Sequence, residues 1–282
     1  MTVKKSNIGE KKDEFFVITA LVSRRLAYPF ALLFCRLGVS ANAVTIMGGL
    51  FWVFSAAAMV LAGWLLATGA SVAGYWMLGL SLFSVNFGVI LDVADGSVAR
   101  LTGTSSSGGY FLDFVFHLIF HPMYLCSIGI FLYLVCGWVG YLVIGVLAIC
   151  SGWGVSFGAK EHVLCEHIAK DSVDLSKFSK DEIYRIYVDS PSTRESTDKK
   201  RGFRKLCIVM AKELLLFPGQ YTTFSAAILL DILLQHFYNT HYILLKSLFL
   251  FIAVFTTLRV PFRIWREYQT LKKYDEIRGK VS

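Results

Sequence analysis

The sequence predicts an all-α, polytopic membrane protein, with six transmembrane helices preceded by an amphipathic helix in the membrane interface. Three observations carry this. Of 282 residues, 55% are hydrophobic and 17% charged, whereas about a quarter of an ordinary soluble domain is charged. Lys and Arg are absent between Arg36 and Arg100 and between Arg100 and Lys160, and Lys246 alone interrupts the stretch from Lys212 to Arg259. Each of those apolar stretches carries an uncharged turn signal near its middle, so each has the length and punctuation of a helical hairpin. A membrane helix needs about 20 apolar residues.

The elements follow in order. Residues 1–13 are polar and alternate in sign, which predicts a disordered start with no cleavable leader. Residues 14–39 mix aromatic and aliphatic side chains with Arg24, Arg25 and Arg36, the pattern of a helix lying in the interface. Ser40 is placed to cap the first span. The catalytic domain is expected over 40–265, with spans near 42–66, 74–99, 109–135, 138–158, 214–235 and 242–264. Turns are expected at Ala67-Thr68-Gly69-Ala70, at Cys136-Gly137 and across 235–241. A hydrophilic insertion occupies 158–213, with twelve basic and ten acidic residues, and reads as a solvated loop with a basic end on lipid headgroups. Residues 266–282 form a tail.

Orientation follows from the cations. Seven lie before Ser40, twelve in 158–213 and seven from Arg259 onward, while the three midpoint turns hold none. The positive-inside rule then puts both termini, the insertion and the Arg100 turn in the cytoplasm. The net charge of +8 is thereby explained by topology and anionic lipid. A nucleic-acid partner is not expected, since no recognition module accompanies the charge. The six cysteines (35, 126, 136, 150, 165 and 207) form no CxxC pair and read as small apolar packers. Asp231 is a lone acid in the fifth span, with structural and functional readings evenly matched.

The stretch 91–117 is different. It holds Asp92, Asp95, Arg100, Asp113 and His117 between apolar runs. Asp92 and Asp95 are three residues apart and share a helix face, which small Gly96 and Ala99 continue. After the polar turn 102–108 the chain re-enters the membrane, and Asp113 and His117 share a face of the next helix. Asp92 lies eight residues before Arg100, about 12 Å by helical rise, so the four groups can converge at one depth. Three carboxylates do not stay ionised together in a low dielectric without compensation. A divalent cation, Mg²⁺ or Mn²⁺ for oxygen ligands, supplies it and would receive phosphate oxygens. His121, one turn beyond His117, reads as a core histidine.

The run Asp92-x2-Asp95-Gly96-x2-Ala99-Arg100-x8-Gly109-x3-Asp113 resembles the signature of the CDP-alcohol phosphotransferase (CDP-alcohol phosphatidyltransferase) family, with every spacing intact. The signature's final position is normally a fourth Asp and here is His117. The stretch Ser40-Ala41-Asn42-Ala43-Val44-Thr45 resembles the family's Pro-Asn-x-x-Thr start of the first span, with Ala41 in place of proline. The resemblance implies an interfacial helix, six spans and a cytoplasmic active site over about 15–265. It implies transfer of a substituted phosphate, such as phosphatidyl, from a CDP-linked alcohol to an acceptor alcohol, with release of CMP, in phospholipid or related phosphodiester synthesis. CDP-diacylglycerol and a small polar alcohol suit the chain's size.

By the same resemblance Asp92, Asp95 and Asp113 hold metal, and Gly96, Ala99 and Gly109 make room for nucleotide. Asn42, Thr45 and Arg100 join the substrate site, with Arg100 expected to orient the aspartates or a phosphate. His117 replaces a residue expected to act as general base or metal ligand, and imidazole can do either. Arg259 and Arg263, at the cytoplasmic boundary, are candidates for an acceptor or lipid phosphate. Small-residue faces suit a homodimer. Two rival readings are an ion- or proton-coupled transporter and a catalytically inactive scaffold. Transport predicts ionisable groups reaching both faces, yet the cluster lies near one.

Overall fold

The computed structural model of the chain describes residues 22–104, 106–152, 213–215, 219–238 and 241–278. Regular structure among them is helical: α1 (Arg24–Leu37), α2 (Ala41–Ala67), α3 (Ser71–Thr102), α4 (Ser107–Cys136), α5 (Gly140–Gly152), α6 (Gly219–Tyr238) and α7 (Ile243–Arg278). The expected disordered start, nearly all of the insertion 158–213, Cys165 and Cys207 lie outside the described residues.

Among the described residues, four stretches are long and apolar enough to cross a membrane: Ala41–Ala67, Ser71–Thr102, Phe111–Cys136 and Ile243–Phe262. They correspond to the first, second, third and sixth expected spans. The fourth corresponds to α5, a shorter apolar helix as far as Gly152. The fifth corresponds to α6, where Gln220, Thr222, Thr223, Ser225, Asp231 and Gln235 dilute the apolar character. The last helix carries the sixth expected span and continues beyond its end to Arg278.

Local chemistry sets the helix ends. The Ser40 hydroxyl accepts from the Ala43 N–H at 3.3 Å and starts α2. Gly69 (φ 86°) makes the turn between α2 and α3, and Gly137 (φ 75°) ends α4. Both adopt the left-handed backbone that glycine takes without a Cβ penalty.

The first helices pack around α2. It meets α3 on one side and α4 on the other. A Cβ added to Gly49 would run into the rings of Phe116 and Phe120, so only glycine permits this approach of α2 to α4. Toward the far end, Ser55 and Ser81 exchange hydrogen bonds, each hydroxyl donating to the other's carbonyl at 2.8 Å. Such polar pairs join helices where lipid supplies no hydrophobic drive. On the other side of α3, the Asn86 amide donates to Ser225 at 2.8 Å and ties in α6. Helix α1 lays Ala27, Ala31 and Phe34 against Leu91, Ala94 and Val98 of α3, with Arg25, Leu26, Leu33 and Arg36 exposed.

Asp231 is fully buried and takes the Leu244 and Leu245 N–H groups at 2.9 and 2.7 Å. Its carboxylate therefore caps the start of α7, which gives this acid a structural role.

Candidate active site

Three helix ends meet where the acidic motif lies. Helix α3 ends at Thr102, where Gly103 (φ 70°) turns the chain and its N–H reaches the Ala99 carbonyl. Ser106 then caps α4, accepting from the Gly109 N–H at 3.1 Å. A short polar turn thus sets α3 and α4 antiparallel and brings their motif residues level. The start of α2 joins them: a Cβ on Gly109 would lie 3.2 Å from the Asn42 side-chain oxygen. Two helix N-termini and one C-terminus surround the site, and N-terminal N–H groups favour anions.

His117 Nε2 is 3.3 Å from Asp92 Oδ1 and 3.1 Å from Asp113 Oδ1. Ligand atoms of these three residues all lie within 4.8 Å of one another, the spacing of a metal site. The His117 and Asp92 side chains are largely covered, at 15% and 16% exposure, whereas Asp113 is 40% exposed and marks the open side. Asp95 stands apart from this trio. It is buried, and the Thr45 hydroxyl donates to its Oδ2 at 2.5 Å. It remains within electrostatic reach of Asp92, Asp113 and His117. Thr45 and Asn42 thus lie beside the motif, each against a motif residue.

The other expected residues are placed as follows. Gly96 and Ala99 are half-buried on α3. The Arg100 guanidinium folds back over Gly96, where a Cβ would sit 3.3 Å from its Nη1, and it donates to the Ser97 hydroxyl at 3.2 Å. The space beside Gly96 therefore holds an arginine head group. Arg259 lies over the Phe255 ring, 5.2 Å from its centroid, on α7. The Arg263 side chain lies outside the described residues.

Two contributors were not expected. Trp52 of α2 packs on the His117 imidazole with ring centroids 5.6 Å apart. Its indole N–H donates to the Val85 carbonyl at 3.3 Å, and a Cβ on Gly88 would collide with the indole. Tyr221 of α6 completes the buried wall, 6.0 Å from Trp52 and hydrogen-bonded at 3.0 Å to His121 Nδ1. His121 is thus a core histidine with a polar partner. A signal for Trp52 existed: it lies seven residues after Thr45 and so shares its face, and Gly88 lies one turn before Asp92. None pointed to Tyr221, 100 residues from His121.

Two carboxylate oxygens and one imidazole nitrogen make a donor set suited to a divalent cation. Cation bonds of about 2.1 Å at right angles put neighbouring ligand atoms about 3.0 Å apart. The spacings of 3.1 and 3.3 Å agree with that arrangement.

Comparison with known proteins points the same way. A family model, CDP-alcohol phosphatidyltransferase, matches residues 38–166. The matched stretch opens just before α2 and contains the whole acidic motif. No curated protein and no solved structure matches the chain. The family is typically dependent on a divalent metal, in keeping with the Asp92, Asp113 and His117 cluster. The segment 38–166, with the motif and the helices that carry it, is thus the part of the chain that is similar to the CDP-alcohol phosphatidyltransferase family.

Proposed function

We propose that the chain transfers a phosphatidyl group from a CDP-linked alcohol, such as CDP-diacylglycerol, to an acceptor alcohol and releases CMP. The observation that carries this is the convergence of Asp92, Asp113 and His117 from adjacent helices, within the family-matched segment. The acceptor hydroxyl oxygen bonds to the β-phosphorus of the donor. The bond from that phosphorus to the bridging oxygen breaks, CMP leaves with the bridging oxygen, and the hydroxyl proton is lost.

Asp92, Asp113 and His117 would hold Mg²⁺ or Mn²⁺, with Asp95 beside them. When bound, the cation supplies charge compensation for the pyrophosphate and the leaving CMP. The chain's own residues do the rest. Thr45 fixes the Asp95 carboxylate. Asn42 and Gly109 mark the meeting of the α2 and α4 N-termini, whose N–H groups favour a phosphate. Gly96 and Ala99 keep the α3 face low for the nucleotide, and Arg100 is placed to swing from Gly96 onto a phosphate. Arg259 and Arg263 are proposed for an acceptor or lipid phosphate at the membrane boundary. Trp52 and Tyr221 close the deep side and exclude water.

His117 has two proposed roles, general base and ligand, and at Nε2 the two compete. A nitrogen set between two carboxylate oxygens either carries its proton as donor to them or binds a cation. In neither state does it accept a proton from the acceptor alcohol. The geometry therefore supports the ligand role better than the base role. The α1 helix is proposed to lie in the interface, with the site and both termini cytoplasmic.

The test is incubation of the purified chain with Mg²⁺ or Mn²⁺, CDP-diacylglycerol and a panel including inositol, inositol phosphate, glycerol phosphate and serine. CMP and a matching phosphodiester are expected with at least one acceptor. Absence of CMP with every pair, from folded protein, sinks the proposal. Proton or ion flux through reconstituted protein without CMP formation favours the transporter.

A further inference from the structure

We infer that the cation site prefers a first-row transition ion over Mg²⁺, because His117 contributes an imidazole nitrogen as a direct ligand. The inference rests on the transferase reading above and specifies its cofactor. The first observation is that Nε2 faces both carboxylates, at 3.3 Å from Asp92 and 3.1 Å from Asp113. A cation held by those two oxygens therefore meets the nitrogen as well. The second is that the ring is held in that orientation. Trp52 packs on it at 5.6 Å and is itself pinned by its bond to Val85 and by the missing side chain at Gly88. A supported ring gives a better-directed ligand than a free one.

The third observation is that Thr45 engages the Asp95 carboxylate at 2.5 Å and that Asp95 lies outside the close trio. Nitrogen is thus one of three close protein donors, rather than one among several oxygens. Mg²⁺ is a hard ion that takes oxygen and water and gains little from imidazole. First-row transition ions bind mixed nitrogen and oxygen sets well. Mn²⁺ stands lowest in their affinity series, so it is the most demanding probe of the class.

The experiment uses the full chain in detergent, titrated with Mn²⁺ and followed by electron paramagnetic resonance. Loss of the free-ion signal reports binding, and pulsed spectra report ¹⁴N coupling to bound Mn²⁺. Mg²⁺ is then added as competitor. The native chain is expected to show ¹⁴N coupling, and His117→Asp to bind Mn²⁺ without it. The Mg²⁺ excess that displaces half the Mn²⁺ should fall on the order of tenfold in His117→Asp. His121→Phe should keep the coupling; its loss there would put the nitrogen on the wrong ring and overturn the assignment.

Bound Mn²⁺ without ¹⁴N coupling, or the same Mg²⁺ excess in both chains, sinks the inference and leaves the transferase reading standing. No Mn²⁺ binding by folded protein sinks the cation site and the inference together. Failure of the transferase reading shows separately, as Mn²⁺ and ¹⁴N signals from a chain that releases no CMP from any donor.

Discussion

Replacing Asp231 by Ala should destabilise the protein without stopping its chemistry. The carboxylate is fully buried and accepts two backbone N–H groups of α7, at 2.9 and 2.7 Å. Alanine leaves both donors without their acceptor and removes a negative charge from a helix N-terminus. Each buried donor left unsatisfied costs about 1–3 kcal/mol, partly relieved where water can enter, and the lost helix-end charge about 0.3–1 kcal/mol more. A net loss of about 2–4 kcal/mol follows, which lowers Tm by roughly 4–16 °C.

The site should not notice the change. Tyr242, next to the cap, packs on Phe131 with ring centroids 5.1 Å apart. Phe131 is fourteen residues along α4 from His117, about 21 Å by helical rise. The assay pairs a thermal-shift measurement in detergent with CMP release at a temperature where both proteins are folded. The expectation is a lower Tm with CMP release within about twofold of the parent, well inside the tenfold that 1.4 kcal/mol represents. An unchanged Tm would refute the capping argument. Lost turnover by folded Asp231→Ala would return Asp231 to a functional role.

Other predictions follow from packing. In Gly88→Ala the new methyl meets the Trp52 indole, so the ring must shift. A stability loss of about 1–3 kcal/mol and slower CMP release are expected, and a parental Tm and rate would show that the ring gives way freely. The Ser55 and Ser81 exchange should give a coupling of about 0.6–1.7 kcal/mol in a double-mutant cycle with alanine. Strict additivity would remove it as a helix tie. Chelator treatment followed by Mg²⁺ or Mn²⁺ should abolish and then restore CMP release, and turnover in the stripped sample would exclude a cation role.

The features legible in the sequence are those set by neighbours along the chain. Ser40 caps α2 because serine before a helical run offers an oxygen to the N–H three residues on. Gly137 ends α4 because it alone takes the needed backbone. The meeting of Asp92, Asp113 and His117 was legible because a short polar turn joins two helices of known rise. What depends on register between separate helices was not legible. Thr45 was placed near the site, but its bond to Asp95 needs the relative height of α2 and α3. Tyr221 reaches the site only because Asn86 and Ser225 lock α6 against α3. Those polar groups, which let α6 pack against its neighbour, also keep it from reading as a strongly apolar span. The end of the sixth span was legible from the rise in charge near 265, whereas the run of the same helix on to Arg278 was not, because charge ends a span without stopping a helix.

The central claim is that a cation gripped by Asp92 and Asp113 drives phosphatidyl transfer from a CDP-linked alcohol. Its most direct test is CMP release by the purified chain, with Mn²⁺ and CDP-diacylglycerol, side by side with Asp92→Asn and Asp113→Asn. These replacements keep the size of each side chain and remove its charge. The account predicts CMP and phosphodiester in equal amounts from the parent. It predicts rates lower by at least about 100-fold from each folded variant. CMP release at the parental rate from either variant would contradict it.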